Sequence, residues 1–518
     1  MQGTHFMALY ISLGLLLLLF PTFLIAEEKY YIEIGKYSAE IEAENVIKEL
    51  EEKGLSCKVK ESIVALKQFR VICGAYKTSE EAETFKDMVS LVFDYKKASV
   101  FSVKDEPPGS ERITGKIFGK KAKYIHPTLS MTGYLTDNVF NTNNESEDDQ
   151  VSVISPGVWI SVPGAMERLL RLDTETLSPG GVTKGALELG KRYLPRRYQA
   201  YLLYRTDIEA FAQNSSQDFN NHRVEGTFQY NFANGLSVTV IDQFLRSHDS
   251  RGTGISTSLE KFNTNLFNFI TEYQLSPKTK LRASYSNFLV DYNGERNEYR
   301  NRTDNSGTLY AIYKLTAKMS PFIGYEYLDM GYDEDILPES QEHHAFAGLQ
   351  WNFTAKTAGL IKLGYGLKDF SDSNAATNES IDNGNDLLAE MTLNHAFTSK
   401  TSAFLSYSRK TRETNITTTD YMMSDLLTAG YHQKLTRKLS ATARFSYGKD
   451  KYEEHNLEFE GDREERIDDY LRGDAALQYQ IFRWLSAEAG YRYTRRDSTF
   501  SEWDYTTNVG FIKFDTSL

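Results

Sequence analysis

The sequence predicts an all-β transmembrane antiparallel barrel of the outer-membrane type over residues 126–518, preceded by a small α+β domain. Three observations predict the barrel. Turns that carry Ser or Thr and, two residues on, Lys recur at Ser276-Pro277-Lys278, Thr316-Ala317-Lys318, Thr354-Ala355-Lys356, Thr398-Ser399-Lys400 and Thr436-Arg437-Lys438, about 40 residues apart. Longer polar segments at 293–305, 331–341, 371–385 and 449–467 fall between them, so short and long connections alternate as periplasmic turns and extracellular loops do. The intervening stretches alternate in polarity: Leu439, Ala441, Ala443, Phe445 and Tyr447 against Ser440, Thr442, Arg444, Ser446 and Gly448, and Leu485, Ala487, Ala489, Tyr491 and Tyr493 against Ser486, Glu488, Gly490, Arg492 and Thr494. One face of each suits lipid, and about ten residues suffice for a tilted strand to cross a bilayer.

Composition agrees. The 33 Tyr and 30 Phe bring aromatics to 13%, while a mean hydropathy of −0.48 is too polar for a bundle of membrane helices. A net charge of −12 argues against nucleic-acid binding, which needs a basic face.

Taken in chain order, residues 1–26 read as a signal peptide, with the apolar run 7–26 ending at Ala26 before Glu27 and Glu28. An uncleaved anchor is the alternative, and export follows from either. Residues 29–104 alternate strand and helix patterns: Tyr30-Tyr31-Ile32-Glu33-Ile34 as strand, 39–53 as a helix with Val46, Ile47 and Leu50 on one face and Gly54 at its end, then a hairpin centred near Ala65. Phe69-Arg70-Val71-Ile72-Cys73-Gly74, a helix over 79–91 and a strand over 97–103 complete a βαββαβ, ferredoxin-like domain. Cys57 and Cys73 fall on the two strands of the hairpin, where an oxidising periplasm allows either a disulfide or two buried thiols. Residues 105–125, opened by Asp105-Glu106-Pro107-Pro108-Gly109, read as a linker.

In the barrel, strands are expected at 127–139, 151–162, 198–211, 220–232, 236–247, 261–274, 279–292, 304–316, 320–331, 341–353, 358–370, 386–397, 401–413, 421–435, 439–451, 468–482, 486–497 and 503–514. Eighteen is even, as a closed barrel with both ends in the periplasm requires. Segment 166–197 stands outside the count: as a periplasmic insertion it leaves eighteen strands, and as two further strands at 167–177 and 185–194 it makes twenty.

Two resemblances rest on particular residues. Tyr31-Ile32-Glu33-Ile34-Gly35-Lys36-Tyr37, then Ala43, Leu50 and Gly54, then Phe69-Arg70-Val71-Ile72-Cys73-Gly74-Ala75-Tyr76 and Ser79-Glu80-Glu81-Ala82, resemble the SPOR domain. That resemblance implies a periplasmic module that binds peptidoglycan glycan strands on an exposed sheet face. Alternation leaves Glu33, Arg70 and Ile72 on that face, with Ile32, Ile34, Phe69, Val71 and Cys73 toward the helices. Glu33 stands where the family usually has Gln, and Ile72 where it often has a polar or basic residue.

The second resemblance covers nearly all of 126–518. His126-Pro127-Thr128-Leu129, Asp137-Asn138-Val139-Phe140, Ser155-Pro156-Gly157, Asp207-Ile208-Glu209-Ala210-Phe211 and Asn214-Ser215-Ser216-Gln217-Asp218-Phe219 resemble the beta-barrel porin 2 group. It implies a cell outer membrane location and, by association with exopolysaccharide genes, polysaccharide passage.

No catalytic constellation stands out: there is no Gly-x-Ser-x-Gly, His-Glu-x-x-His or Walker-type loop. Neither a cofactor nor a metal is expected, since His343 and His344 are adjacent on a strand and point to opposite faces. Acidic clusters at 145–149 and 458–465 lie in expected extracellular loops, where they either bridge lipopolysaccharide through cations or keep the loop solvated. Inward positions on expected strands carry Arg205, Asp207, Glu209, Arg282, Arg444, Glu488 and Arg492. Such mixed charge lines either an aqueous path or a set of ion pairs that closes the barrel. The expected function is therefore a non-enzymatic channel for an unidentified solute, seated in outer-membrane lipid and lipopolysaccharide and tethered to peptidoglycan. A closed barrel serving as tether is the alternative, and a barrel hydrolase the third reading.

Overall fold

The computed structural model describes residues 28–37, 46–47, 57–62, 68–76, 99–104, 124–163, 174–181, 197–249, 259–354, 356–370, 383–414, 419, 421–453, 457–459 and 462–517. The chain divides into two compact units, Met1–Lys116 and Ile117–Leu518.

The first unit holds a four-stranded antiparallel sheet of β1 (Glu28–Tyr37), β2 (Cys57–Ser62), β3 (Gln68–Tyr76) and β4 (Ser99–Lys104), ordered β2-β3-β1-β4. Its backbone register sets Glu33 opposite Ile72, Lys36 opposite Arg70 and Cys57 opposite Cys73. Of the two helices expected there, only Val46 and Ile47 fall within the described residues, and both are helical. The signal peptide and nearly all of the linker lie outside the described residues.

The second unit is a closed barrel of eighteen antiparallel strands. They are β5 (Ile125–Thr136), β6 (Asp149–Val162), β7 (Tyr198–Phe211), β8 (Phe219–Asn231), β9 (Leu236–His248), β10 (Lys261–Gln274), β11 (Thr279–Tyr292), β12 (Arg302–Tyr313), β13 (Met319–Tyr332), β14 (Ser340–Thr354), β15 (Thr357–Phe370), β16 (Gly384–Ala396), β17 (Thr401–Arg412), β18 (Tyr421–Lys434), β19 (Leu439–Glu453), β22 (Ile467–Phe482), β23 (Leu485–Ser498) and β24 (Tyr505–Ser517). A short hairpin, β20 (Leu457–Phe459) with β21 (Asp462–Glu464), occupies the loop between β19 and β22. Each barrel strand pairs with the next, and β24 pairs with β5 from Val509↔Thr136 to Ser517↔Thr128. β6 pairs directly with β7 and the ring closes at eighteen strands, which decides between eighteen and twenty.

The Ser/Thr-x-Lys repeat has a local cause. In each turn the hydroxyl oxygen accepts backbone N–H groups two or three residues on: Ser276 from Lys278 (3.3 Å) and Thr279 (3.0 Å), Thr316 from Lys318 (3.1 Å) and Met319 (3.0 Å), Thr436 from Lys438 (3.1 Å) and Leu439 (2.9 Å). Thr354 and Thr398 hold Lys356 and Lys400 in the same way. The side-chain acceptor thus reinforces a tight bend whose end residues also bond through the backbone, as Ser276 and Thr279 do.

Above these turns the outer surface is an apolar band, with Leu281, Ile323, Leu363, Leu477 and Ile512 exposed. Tyrosines bound it: the hydroxyls of Tyr285, Tyr325, Tyr407 and Tyr447 bond Asn305, His343, Asp425 and Asp469 on the following strand. Apolar below and hydrogen-bonded above, this belt is what an outer interface selects.

Inside, large rings lie flat on glycines of the neighbouring strand. A Cβ added at Gly348, Gly364, Gly430 or Gly490 would fall against Phe322, Phe346, Phe404 or Phe511 respectively. Rings laid along the wall cover it without filling the lumen.

Thr316→Ala and Thr436→Ala each remove a turn acceptor, at about 1 kcal/mol per hydrogen bond lost. The urea midpoint of unfolding from lipid vesicles should fall for each, and further for the double substitution.

Candidate functional site

The connection between β6 and β7 leaves Val162 and returns at Tyr198, both at the end of the barrel that carries the tight turns. Its described part, 174–181, lies inside the barrel at the opposite, loop-bearing end. Its partners define that height: Gln243 on β9, Asp249 just beyond it, Arg302 and Asp304 at the start of β12, and Lys410, Arg412 and Glu413 where β17 ends. Eight places separate β9 from β17 in a ring of eighteen, nearly half of it, so contacts on both arcs carry the segment across the lumen.

The segment is a compact bend. Ser178 N–H donates to Glu175 O (3.2 Å), Gly181 N–H to Ser178 O (2.8 Å) and Glu175 N–H back to Gly181 O (3.2 Å). Pro179–Gly181 forms a 3-10 turn in which Gly180 (φ 63) and Gly181 (φ 67) adopt the left-handed conformation that suits glycine. A Cβ on Gly181 would land in the ring of Phe288, so glycine is required there twice over.

Charge holds the bend to both walls. Asp304 accepts Gly180 N–H (2.9 Å) and pairs with Arg302 (3.0 Å), whose guanidinium donates to Ser178 O (3.2 Å). Thr176 donates to Asp249 (2.9 Å), which pairs with Arg300 (2.8 Å); Arg300 also pairs with Glu260 (2.8 Å). Burial works against the charge on Arg300, but Tyr292, Asp249 and Glu260 around it raise its pKa above the ordinary arginine value, so it stays cationic. From the other side Lys410 reaches the Ser178 hydroxyl (2.9 Å), Arg412 pairs with Glu175 (3.3 Å), and Glu413 N–H donates to Leu177 O (2.9 Å). Leu177 packs on Met422 and Tyr452.

Beside it sits a second buried cluster. Lys368 bridges Glu342 (3.0 Å) and Glu413 (2.8 Å); Tyr332 donates to Glu413 (2.6 Å), and His344 contacts Glu342 (2.8 Å) and Glu326 (3.3 Å). Buried charges persist only when paired in this way, and the pairs tie β13, β14, β15 and the end of β17 together over the mouth.

The periplasmic half is different. A cavity of about 970 Å³ runs along the wall from β14 to β24, reaching the turn residues Thr354 and Lys356 at its rim. Arg444, Asp474 and Arg492 stand in one row across β19, β22 and β23, and Asp474 pairs with Arg492 (2.5 Å) and Arg472 (3.0 Å). Glu488 lines the same cavity.

The other sequence-expected charges lie apart from it. Arg205 pairs with Asp207 on its own strand (2.7 Å), Glu209 accepts from Asn221 (2.5 Å) and contacts His248 (3.5 Å), and buried Arg282 lies 3.8 Å from Glu272. Arg444, Glu488 and Arg492 therefore share one cavity, while Arg205, Asp207, Glu209 and Arg282 belong to local pairs. His343 and His344 do face opposite ways, one to outward Tyr325 and the other to inward carboxylates. Asp149, at the end of the first acidic cluster, is buried and accepts backbone N–H groups of Gln150, Ala212, Gln213 and Asn214, so it organises two loops.

Sequence reasoning set 166–197 outside the strand count but did not place 174–181 within the lumen or identify its ring of partners. The available signal was Ser178-Pro179-Gly180-Gly181, a turn cluster in a stretch otherwise surplus to the strand count.

Among known proteins, residues 196–516 match the model of the family described as Putative beta-barrel porin 2, and residues 26–97 match the SPOR domain. No curated protein matches the chain. Solved structures similar to it include the outer membrane protein OpdK from Pseudomonas aeruginosa, at 10% identity and a TM-score of 0.38 over 76% of this chain and 99% of that one. OccK2 (OpdF) of the same organism is 8% identical with a TM-score of 0.40, and OccAB4 from Acinetobacter baumannii 11% identical with 0.39; each match covers 76% of this chain and 98% of the other.

Lys368→Met should leave Glu342 and Glu413 buried without their ammonium, a loss of about 3–5 kcal/mol. Urea unfolding of the vesicle-inserted protein measures it, and the Glu342→Gln, Lys368→Met, Glu413→Gln triple variant should recover most of the loss.

Proposed function

Because the chain belongs to the Putative beta-barrel porin 2 family, we propose that it is an outer-membrane channel, held to peptidoglycan by its periplasmic SPOR domain and closed from within at its extracellular end by segment 174–181. The single observation that carries this reading is the bend of that segment across the lumen, bonded to β9 and β12 on one arc and to the end of β17 on the other. Eighteen strands enclose an aqueous lumen unless something occupies it. The segment enters from the periplasmic end and is secured by hydrogen bonds and ion pairs, so it is a removable closure and not part of the wall. The family match makes it a membrane barrel, and a non-catalytic channel is the reading this supports.

Saccharide is the solute class this reading favours, because the flat rings of Phe404 and Phe511 present apolar faces along a polar wall.

The experiment is planar-bilayer conductance. The wild-type protein should be mostly closed with brief openings. Gly181→Ala, which sets a methyl against Phe288, should hold the segment off its seat and raise the open fraction at least tenfold. Silence in both would favour the second reading, a closed barrel that serves as tether, for which the buried pairs around Lys368 speak.

For the N-terminal unit, the sheet order supports a ferredoxin-like arrangement, and the pairing of Glu33 with Ile72 supports a glycan-facing set of Glu33, Arg70 and Ile72. Arg70→Ala should weaken retention of the full protein on amidase-treated sacculi severalfold, read by sedimentation. Cys57 opposite Cys73 supports a cross-strand disulfide. Intact-mass measurement should gain two hydrogens on reduction, and blocking with maleimide before reduction should label neither cysteine.

A further inference from the structure

Segment 174–181 accounts for the charges at the extracellular end, but nothing in that closure uses the arginines of the periplasmic cavity. Arg444, Arg472 and Arg492 line one wall, and Asp474 is the one carboxylate among them, accepting from Arg472 at 3.0 Å and Arg492 at 2.5 Å. Register places Arg444 directly opposite Asp474 on the neighbouring strand, yet Arg444 forms no ion pair among the described residues. Its guanidinium instead lies 5.9 Å from the centre of the Phe404 ring. Glu488 is two inward positions nearer the periplasm than Arg492, at the far end of the cluster. Across the cavity lining four cationic groups, Lys356, Arg444, Arg472 and Arg492, face two carboxylates, Asp474 and Glu488, an excess of two positive charges on its wall.

Two features narrow what that excess would take. Arginine presents a planar fork of donors matched to the two oxygens of a carboxylate, and it loses less hydration on pairing than an ammonium would. Phe404 lies flat because Gly430 beneath it has no Cβ, so a fixed apolar face adjoins the Arg444 guanidinium. A ligand that fills both has a carboxylate beside a ring with an apolar face.

We propose that Arg444, Arg472, Arg492 and Phe404 form a binding site for an acidic saccharide, the carboxylate of a uronic acid unit taken by the arginines and its sugar ring lying on Phe404. The inference deepens the channel reading and rests on it for the route of access. Because the cavity reaches the periplasmic rim at Thr354 and Lys356, the ligand meets this site from the periplasm, before the closure at 174–181. A net positive wall also draws a polyanion toward the mouth of a chain that is acidic overall.

The test is equilibrium dialysis of the full-length protein in detergent against trigalacturonate, maltotriose and succinate. Trigalacturonate should bind at least tenfold more tightly than either of the others. Arg444→Gln and Arg492→Gln should each weaken it at least tenfold, and Arg444→Lys should weaken it less than Arg444→Gln. Gly430→Ala, which displaces the Phe404 ring without altering any charge, should weaken trigalacturonate and leave succinate unchanged. Heat-modifiable mobility on a gel identifies any variant that has not folded. Equal binding of maltotriose, equal binding of succinate, no binding of any of the three, or an affinity unaffected by Arg444→Gln overturns the proposal. Binding to a protein that never conducts, with or without Gly181→Ala, would overturn the channel reading and leave the site standing; conduction without binding would do the reverse.

Discussion

A sheet can stand in a bilayer only if its backbone groups are bonded within the protein, since hydrocarbon offers them no partner. The pairing of β24 with β5 meets that condition by abolishing both edges of the sheet. Everything else follows from closure. Alternate side chains must face lipid, which makes the outer face apolar up to the tyrosine belt, and the remaining half must face a common interior. That interior is polar by default, and its charged groups have two options: water or one another.

The barrel takes both, at different heights. Toward the extracellular end the inward charges are paired, and segment 174–181 supplies the atoms that join opposite arcs: the Ser178 carbonyl to Arg302, the Ser178 hydroxyl to Lys410, the Gly180 N–H to Asp304. Toward the periplasm the arginines around Asp474 border open space. The same rule of alternation thus yields a layer of paired charges where segment 174–181 completes the pairs, and an arginine-lined cavity in the periplasmic half of the wall.

This division explains what was legible in the sequence. The strands were, because each advertises itself twice, once by its two-residue period and once by the Ser/Thr hydroxyl that closes the turn beside it. The expected strands 198–211, 261–274 and 279–292 coincide with β7, β10 and β11, and the other fifteen overlap theirs with ends shifted by a few residues. The inward side of Arg444, Glu488 and Arg492 was legible for the same reason. Segment 174–181 was not, because its structure is dictated by partners 60 to 240 residues away and by no periodicity of its own. Asp149 misled in the opposite direction: it stands in an acidic run that looks solvated, yet the backbone of a second loop folds onto it. The hairpin β20–β21 was hidden within a charged loop whose composition predicts only solvation. In the N-terminal unit the strands were legible from their apolar alternation, and the helical pattern over 39–53 meets the structure at Val46 and Ile47.

The central claim is that the lumen is sealed above and open below, and side-specific labelling tests it most directly. In a Cys57→Ser, Cys73→Ser background, Thr442→Cys places a thiol in the cavity beside Arg444. A maleimide on a polymer too large for diffusion porins is then added to intact cells and to cells whose outer membrane has been permeabilised. The structure predicts labelling only after permeabilisation, and labelling of intact cells on Gly181→Ala. Equal labelling of the parent in intact and permeabilised cells would contradict the account.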